Sequence, residues 1–234
     1  MSLSAQNSLV KRWDALVAAT AGPALTPSFF LPTNISNANI CANKDGSFME
    51  AFAHQVTTTD HILKYPRCLI TSDPGTGKTR SVIDAFTQRG GKMLVLAPLS
   101  ILQASWGDDI DKFAPFINYS IAYAKNRAKI FAACDDVDVV ITNHDAAKWL
   151  AKNPSVLDSF DTVCIDEFTA FKNKDSQRSK ALVKAVKNIE HRIAMSGTPN
   201  SNTILDMWHP TFVVDDGERL GRRFYTFRGH VCTP

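Results

Sequence analysis

Short apolar runs alternate with segments of helical length from Phe48 onward. Six runs carry this pattern, over residues 68–71, 93–98, 119–123, 137–142, 162–166 and 192–196. Segments 78–88 and 176–187 are examples of the helical stretches that separate most of them. Strands that are apolar on both faces are typical of a parallel sheet covered on both sides, and the intervening segments are long enough to cross over between parallel neighbours. The sequence therefore predicts an α/β fold with a mostly parallel sheet flanked by helices.

The first 48 residues have a different pattern. Apolar residues at helical spacing predict one short amphipathic helix there, made by Leu9, Trp13, Leu16 and Val17. Prolines and an Asn/Ser-rich stretch then interrupt it. We predict a short N-terminal arm over residues 1–48 and a single domain over residues 49–234. The arm is expected to pack on the domain, and a role in binding a partner is the alternative.

Composition narrows the class of protein. The net charge of +3 permits a nucleic-acid partner without requiring one, because dedicated binders usually carry a strong basic stripe. The five cysteines are scattered and form no CxxC pair, which favours a reducing compartment and argues against a disulfide framework or a zinc site. No apolar run approaches the length of a membrane span, and the start lacks a signal-peptide pattern. We expect a cytoplasmic protein without a membrane partner.

In a parallel sheet, ligands bind beyond the carboxyl ends of the strands. The first apolar run is followed there by a glycine-rich turn that opens a helix. Such a turn offers unpaired backbone N–H groups and the positive end of a helix dipole to a phosphate. The residues predicted to contact a nucleotide are Asp73, Pro74, Gly75, Thr76, Gly77, Lys78, Thr79 and Arg80.

Two side chains of this turn have predicted roles. Lys78 would reach the β- and γ-phosphates, and the Thr79 hydroxyl would take one Mg²⁺ position. Ser72 stands where the strict P-loop pattern has glycine, a mild departure because Gly75 and Gly77 make the tight curl. A simple glycine-rich turn is the alternative. Lysine and threonine at the start of a helix favour the phosphate site.

The fifth apolar run ends in Asp166 and Glu167. An aspartate at a strand end completes many nucleotide sites, because its carboxylate holds Mg²⁺, usually through water. The adjacent glutamate would orient and deprotonate the attacking water. Cys164, inside the same run, is expected to be a small core residue and not a nucleophile.

The sixth run ends in Ser196, Gly197 and Thr198. Hydroxyl groups and a glycine at a strand end suit a relay between the γ-phosphate site and another surface. A plain turn is the alternative from these residues alone.

Four stretches together resemble motifs of superfamily 2 helicases, and most closely those of the Swi/Snf-related branch. They are SDPGTGKT (72–79), APLSILQASW (97–106), DEFTAFKN (166–173) and SGTPNSNTILDMW (196–208). GERLG (217–221) and FYTFR (224–228) extend the likeness to the compact helicase-like proteins of tailed phages. Phe168 departs from the pattern, because relatives have serine or the histidine of DEAH proteins there. This puts in doubt the link that the DEAH histidine makes to the sixth-run motif, and Phe168 is expected to serve in packing instead.

The resemblance implies a RecA-like P-loop lobe that uses ATP and Mg²⁺. It implies that Gln55 reads the adenine edge, with surface filler as the alternative. It also implies contacts to the phosphate backbone of one DNA strand, with little sequence specificity, by Pro98, Ser100, Thr142 and Asn143. The location would be the host cytoplasm if the protein is phage-encoded.

Motors of this family have two such lobes, and the second supplies an arginine that stabilises the transferring phosphate. The present sequence is expected to contain the first lobe only. Four arginines near its end are expected to form a solvated or DNA-facing basic patch, namely Arg219, Arg222, Arg223 and Arg228. The predicted function is the N-terminal ATPase lobe of a Swi/Snf-like DNA motor. A non-hydrolysing nucleotide-binding or regulatory docking module is the alternative, and a small-molecule kinase is disfavoured.

Overall fold

The computed structural model describes residues 49–199 and 202–232. The predicted arm and its amphipathic helix lie outside these residues. Six strands form one sheet in the order β1-β6-β5-β2-β4-β3, and every neighbouring pair is parallel. Their bounds are β1 Arg67–Ile70, β2 Met93–Ala97, β3 Tyr119–Ala122, β4 Val139–Asn143, β5 Thr162–Asp166 and β6 His191–Met195. The predicted mostly parallel sheet is confirmed, with one strand in each of the six apolar runs.

Eight α-helices lie among the described residues. They are α1 Ala53–Lys64, α2 Lys78–Arg89, α3 Asp108–Phe113, α4 Arg127–Ala132, α5 Ala146–Leu150, α6 Gln177–Val186, α7 Trp208–Asp215 and α8 Phe224–Val231. Short 3-10 turns occur at Leu99–Ile101, Pro154–Leu157, Phe168–Phe171 and Ile204–Met207, and a π-helical turn spans Leu102–Gly107. Two helices predicted from the sequence, over 78–88 and 176–187, are confirmed within a residue or two at each end.

The sheet has a hydrophobic core on each face. Alternate residues of a strand point to opposite faces, so Leu94 and Leu96 of β2 pack in one core while Met93 and Val95 pack in the other. The first core also receives side chains of α4, α5, α6 and α7, and the second those of α1, α2 and α3. The helix layers on both faces explain why β2 and β5 are buried along their whole length.

Two predictions about single residues are confirmed by burial. Cys164 is completely buried inside β5, and burial raises the pKa of its thiol, so it is a core residue. Phe168 is also buried and packs in the first core. Among the described residues, no helix is both long and apolar enough to span a membrane.

Candidate nucleotide-binding and catalytic site

The loop after β1 is shaped by two glycines in left-handed backbone conformations. Gly75 has φ +79° and Gly77 has φ +76°, which residues with a side chain adopt only with strain. A Cβ on Gly77 would also lie 2.1 Å from the Nε2 atom of Gln55, whereas the space around Gly75 is open. The Thr76 hydroxyl braces the loop by donating to the carbonyl of Asp73 at 2.8 Å. The two glycines therefore allow the tight curl, and the absence of a side chain at Gly77 makes room for Gln55.

The loop runs directly into the N-terminus of α2. The first hydrogen bond of this helix joins the Ser81 N–H to the Gly77 carbonyl at 3.2 Å. The N–H groups of Lys78, Thr79 and Arg80 precede that bond and have no partner in the helix, so they suit an anion. The Lys78 ammonium donates to the carbonyls of Ser72 (2.8 Å) and Asp73 (2.9 Å) and thus lies over the loop. This cradle fits a phosphate chain.

Gln55 lies against this loop from α1. Its Oε1 accepts from the Phe52 N–H at 3.1 Å, and its Nε2 donates to the Thr76 carbonyl at 3.2 Å. The side chain is buried, and its two bonds tie the start of α1 to the phosphate loop. The structure thus places Gln55 beside the loop, and its contact with adenine stays a prediction.

The side chain of Arg80 does not face the predicted nucleotide. Its guanidinium is 4% exposed, donates to the carbonyls of Met49 and Glu50, and lies with Nε 3.6 Å from the Asp84 carboxylate. It also stacks over the Phe113 ring. The predicted nucleotide contact of Arg80 is therefore corrected to its backbone N–H alone, because one turn of α2 directs the side chain into the interface with α3.

Asp166, at the end of β5, is held by a tryptophan. Trp106 Nε1 donates to Asp166 Oδ2 at 3.0 Å, and both side chains are buried. Burial raises the pKa of Asp166 to about 6, and the Trp106 hydrogen bond and the charge of Lys78 act in the opposite direction. Trp106 was part of the sequence likeness, but its contact with Asp166 was not predicted. The π-helical turn Leu102–Gly107 brings the indole to this position.

Glu167 has an unusual backbone conformation for a residue with a side chain. Its φ of 50° and ψ of 58° are left-handed. The Ser196 hydroxyl donates to Glu167 Oε2 at 2.9 Å and accepts from the Thr198 N–H at 3.1 Å. A Cβ on Gly197 would lie 2.7 Å from Pro74, so the sixth-run motif also touches the phosphate loop. The structure therefore brings the predicted relay residues Ser196, Gly197 and Thr198 to both halves of the site.

His144 is a site residue that the sequence did not reveal. Its Nε2 lies 2.7 Å from the carbonyl oxygen of Asp166, and its ring meets Phe171 edge-on at 5.1 Å between centroids. A carbonyl only accepts, so Nε2 must carry the proton. Burial lowers the pKa of His144, which keeps the ring neutral near pH 7. The one available signal was a polar residue directly after the apolar run of β4.

Of the residues predicted to contact DNA, Pro98 and Ser100 follow β2, and Thr142 and Asn143 are the last two residues of β4. Ser100 is exposed and Pro98 half-buried, as a surface contact requires. Thr142 is fully buried and its hydroxyl donates to the Ala122 carbonyl at 2.7 Å, so the prediction that it contacts DNA is wrong. Asn143 is half-buried, and its Oδ1 accepts from Arg127 Nη2 at 2.7 Å.

The strand order separates two sets of predicted residues along the carboxyl edge of the sheet. The phosphate loop, Ser196 and the two carboxylates follow β1, β6 and β5, which are neighbours. The DNA candidates lie after β2 and at the end of β4, on the other half of the same edge. The predicted basic patch is solvent-exposed at all four arginines, and Arg219 also pairs with Asp215 at 3.3 Å.

The fold and the site define a RecA-like P-loop nucleotide-binding lobe. Comparison with protein families then gives the particular family. Residues 15–212 match the model of the SNF2-related domain, so the chain belongs to that family.

Curated relatives share moderate identity with the chain. The protein p41 of Acyrthosiphon pisum secondary endosymbiont phage 1 is 30% identical over 188 residues, covering 74% of this chain and 41% of p41. The Bacillus subtilis protein YwqA, named as an ATP-dependent helicase/translocase, is 32% identical over 148 residues, covering 59% of this chain and 16% of YwqA. The chain thus spans less than half the length of these relatives.

A solved structure has the same fold. The SWI2/SNF2 ATPase core of Sulfolobus solfataricus, determined in complex with dsDNA, matches with a TM-score of 0.66 and 22% identity. The match covers 77% of this chain and 38% of that chain. At this identity the likeness concerns the fold alone.

Proposed function

We propose that this chain is the N-terminal ATP-binding lobe of a Swi/Snf-like DNA translocase, which couples ATP hydrolysis to movement on DNA. The observation that carries the proposal is the convergence of a phosphate loop, two carboxylates and Ser196 at the ends of three neighbouring strands. The name of YwqA and the dsDNA bound to the Sulfolobus ATPase core support a motor that acts on DNA.

In the proposed nucleotide complex, the free N–H groups at the start of α2 and the Lys78 ammonium hold the phosphates. Lys78 already lies over the loop, where its bonds to two carbonyls would be exchanged for bonds to phosphate oxygens. Mg²⁺ would be held by the Thr79 hydroxyl and by Asp166, which are the hard oxygen ligands that it prefers. When bound, the metal neutralises charge that develops on the phosphates.

Glu167 is the proposed base for the attacking water. Ser196 occupies Oε2 of its carboxylate, which fixes the orientation of the group and leaves Oε1 for the water. The left-handed backbone of Glu167 turns the carboxylate out of the strand direction of β5, and the His144 bond to the preceding carbonyl supports that turn. Strained backbone conformations of this kind cluster at functional sites.

The coupling residues Ser196, Gly197 and Thr198 are proposed to pass a change at the γ-phosphate to the DNA edge. Ser196 contacts the base, and Gly197 packs closely on Pro74 of the phosphate loop. A shift of either group would therefore move the segment that leads from β6 toward α7.

The proposal includes a second RecA-like lobe, in the full-length protein or in trans. It also keeps the predicted division between an arm over residues 1–48 and the lobe from residue 49. The family match begins at residue 15, so the arm would hold part of the homologous region. We propose that the protein acts in the cytoplasm of the cell, and of the host if it is phage-encoded. The free buried thiols of Cys68, Cys134 and Cys164 fit such a reducing compartment.

Binding measurements test the proposed function on the chain itself. The chain should bind a fluorescent ATP analogue more tightly with Mg²⁺ than with EDTA, and should bind a labelled DNA duplex with an affinity that falls as salt rises. ATP binding without DNA binding would contradict the motor and support a nucleotide-dependent docking module. Absence of ATP binding would contradict both.

A further inference from the structure

We propose that Arg127, held beside Asn143, forms a site for one phosphate group of the nucleic-acid backbone. The inference rests on the proposed function and adds a residue that the sequence motifs did not indicate. Arg127 is the first residue of α4, directly after the loop that follows β3, and Asn143 is the last residue of β4. Both therefore lie on the half of the carboxyl edge that carries the DNA candidates.

The first observation is a buried cation without a counter-ion. Arg127 is 7% exposed, and its Nη2 donates to the neutral amide oxygen of Asn143 at 2.7 Å. Its Nε is buried without a hydrogen-bond partner, and within residues 49–199 and 202–232 no carboxylate forms an ion pair with it. The guanidinium lies 6.0 Å from the centre of the Trp149 ring. Burying a charge is costly unless it is paired, so this environment calls for an anion.

Arg192 is one buried arginine of this chain whose guanidinium is fully partnered. It is 1% exposed, and its Nε donates to the carbonyl of Ile189 at 3.0 Å. Its Nη1 pairs with the Asp216 carboxylate at 3.0 Å, and its Nη2 donates to the Lys187 carbonyl at 2.6 Å. Each nitrogen of this internal guanidinium has a partner. Arg127 differs from it in the two features that a ligand would supply, a negative charge and further acceptor oxygens.

The charges around Arg127 leave it available to an anion. Asp145 is the acid whose charge acts on Arg127, but its carboxylate pairs with Arg178 at 3.0 Å and is 69% exposed. Lys125 is an exposed cation two residues before Arg127 in the chain. The residues 123–125 of the loop before Arg127, at the carboxyl edge, are exposed.

The chemistry of the ligand follows from the donor group. A guanidinium offers a planar fork of N–H donors that matches two oxygens of a phosphate, and it is always charged. A phosphate contact carries no sequence information, which agrees with a translocase that must move along any DNA. Asn143 precedes His144, whose ring contacts the backbone carbonyl of Asp166, so two adjacent residues join this site to the backbone at the end of β5.

The test is DNA binding by three variants of this chain as a function of salt. Arg127→Gln removes the charge, Arg127→Lys keeps the charge without the fork, and Lys129→Gln is the matched control that loses an exposed charge two residues away. For one lost phosphate contact, the slope of log affinity against log salt should fall by about 0.9 with duplex DNA in Arg127→Gln. Arg127→Lys should keep the slope and bind more weakly than wild type. Lys129→Gln should keep both within error.

Each other outcome overturns the inference. A slope and affinity of Arg127→Gln equal to wild type, in a variant whose thermal unfolding shows that it is folded, would make Arg127 structural. If Arg127→Gln does not fold, an unchanged DNA affinity of Arg127→Lys contradicts the proposal that two guanidinium N–H groups bind the phosphate. Loss of fluorescent-ATP binding with DNA binding intact would assign the anion to the nucleotide. If the wild-type chain binds ATP but no DNA at low salt, the proposed function itself fails, and the inference fails with it.

Discussion

Trp106 and Asp166 are joined by a hydrogen bond of 3.0 Å between the indole Nε1 and the carboxylate Oδ2. The bond connects the turn after β2, on the half of the sheet edge with the DNA candidates, to the end of β5, on the half with the proposed nucleotide site. It occupies one carboxylate oxygen, Oδ2, of the residue that we propose as a metal ligand. Because both side chains are buried, a movement of the turn after β2 changes the surroundings of Asp166 directly.

Burial of Asp166 predicts a pH-dependent cost to stability. Its folded pKa is about 6 against an ordinary value of 3.8, so the folded state favours the protonated carboxyl. The stabilising contribution of the protonated Asp166 is thus fully present below pH ~4. It is lost as the pH rises through about 6, and the free energy of unfolding falls by roughly 2–3 kcal/mol over this range.

We therefore expect Asp166→Asn, without nucleotide, to be more stable than wild type at pH 7.5 and to lose this advantage near pH 4. Urea unfolding at both pH values measures the difference. Asp158→Asn, at an exposed aspartate, is the control. An Asp166→Asn variant less stable than wild type at pH 7.5 would show that the carboxylate is not held at a cost.

Removal of the Lys78 ammonium should weaken nucleotide binding and leave the fold intact. The side chain lies over the phosphate loop through bonds to two carbonyls, and a charge-assisted hydrogen bond is worth roughly 1.5–3 kcal/mol. Lys78→Ala should therefore bind fluorescent ATP on the order of 10- to 100-fold more weakly. Lys64→Ala, at an exposed lysine of α1, serves as the control. Equal affinities of Lys78→Ala and wild type for ATP would contradict phosphate binding by this loop.

Substitutions of Glu167 and Ser196 should lower ATP hydrolysis without weakening ATP binding. In a protein that includes a second lobe, Glu167→Gln keeps an oxygen for the Ser196 hydroxyl but cannot accept a proton, so it should bind ATP normally and hardly hydrolyse it. Ser196→Ala should lower turnover less, by about tenfold, because only the orientation of the base is lost. Single-turnover phosphate release measures both. Turnover of Glu167→Gln equal to wild type would mean that another group activates the water.

His144 should matter for coupling more than for ATP affinity. His144→Phe keeps a ring against Phe171 but removes the donor to the Asp166 carbonyl, leaving a buried acceptor unpaired at a cost of about 1–3 kcal/mol. We expect a lower unfolding temperature, unchanged ATP binding and a reduced stimulation of hydrolysis by DNA in a two-lobe protein. Full DNA stimulation in a folded His144→Phe variant would limit His144 to packing.

Much of the architecture could be predicted from the sequence, because strands and the residues at their ends are recognisable from local sequence patterns. All six strands and the tight glycine-rich loop that opens α2 were of this kind. Contacts between residues distant in sequence could not be predicted from such local patterns. Trp106 is 60 residues from Asp166, and the pattern gave no direction for its ring.

One predicted site contact, that of Thr142, failed and another, that of Arg80, was narrowed to its backbone, because side-chain direction depends on packing. Thr142 and Asn143 are neighbours at the end of β4, and successive strand residues point to opposite faces. The Thr142 side chain is therefore buried and bonds to the Ala122 carbonyl, while the Asn143 side chain accepts a hydrogen bond from Arg127. The same holds for Arg80 on a helix. Its position at the start of α2 did not indicate that its guanidinium would pack against Phe113.

The most direct test of the account is steady-state phosphate release by the purified 234-residue chain at saturating ATP and DNA. On the proposed assignment the chain supplies a lysine, a metal ligand and a base, and the proposed second lobe would supply an arginine. Such arginine fingers are worth on the order of 10³–10⁵ in rate where they have been measured. We therefore predict negligible turnover by the chain alone, with or without DNA, and DNA-stimulated hydrolysis when a second RecA-like lobe is added, fused or in trans. Turnover of ~1 s⁻¹ or more by the chain alone would contradict the account, because it would show a self-sufficient site.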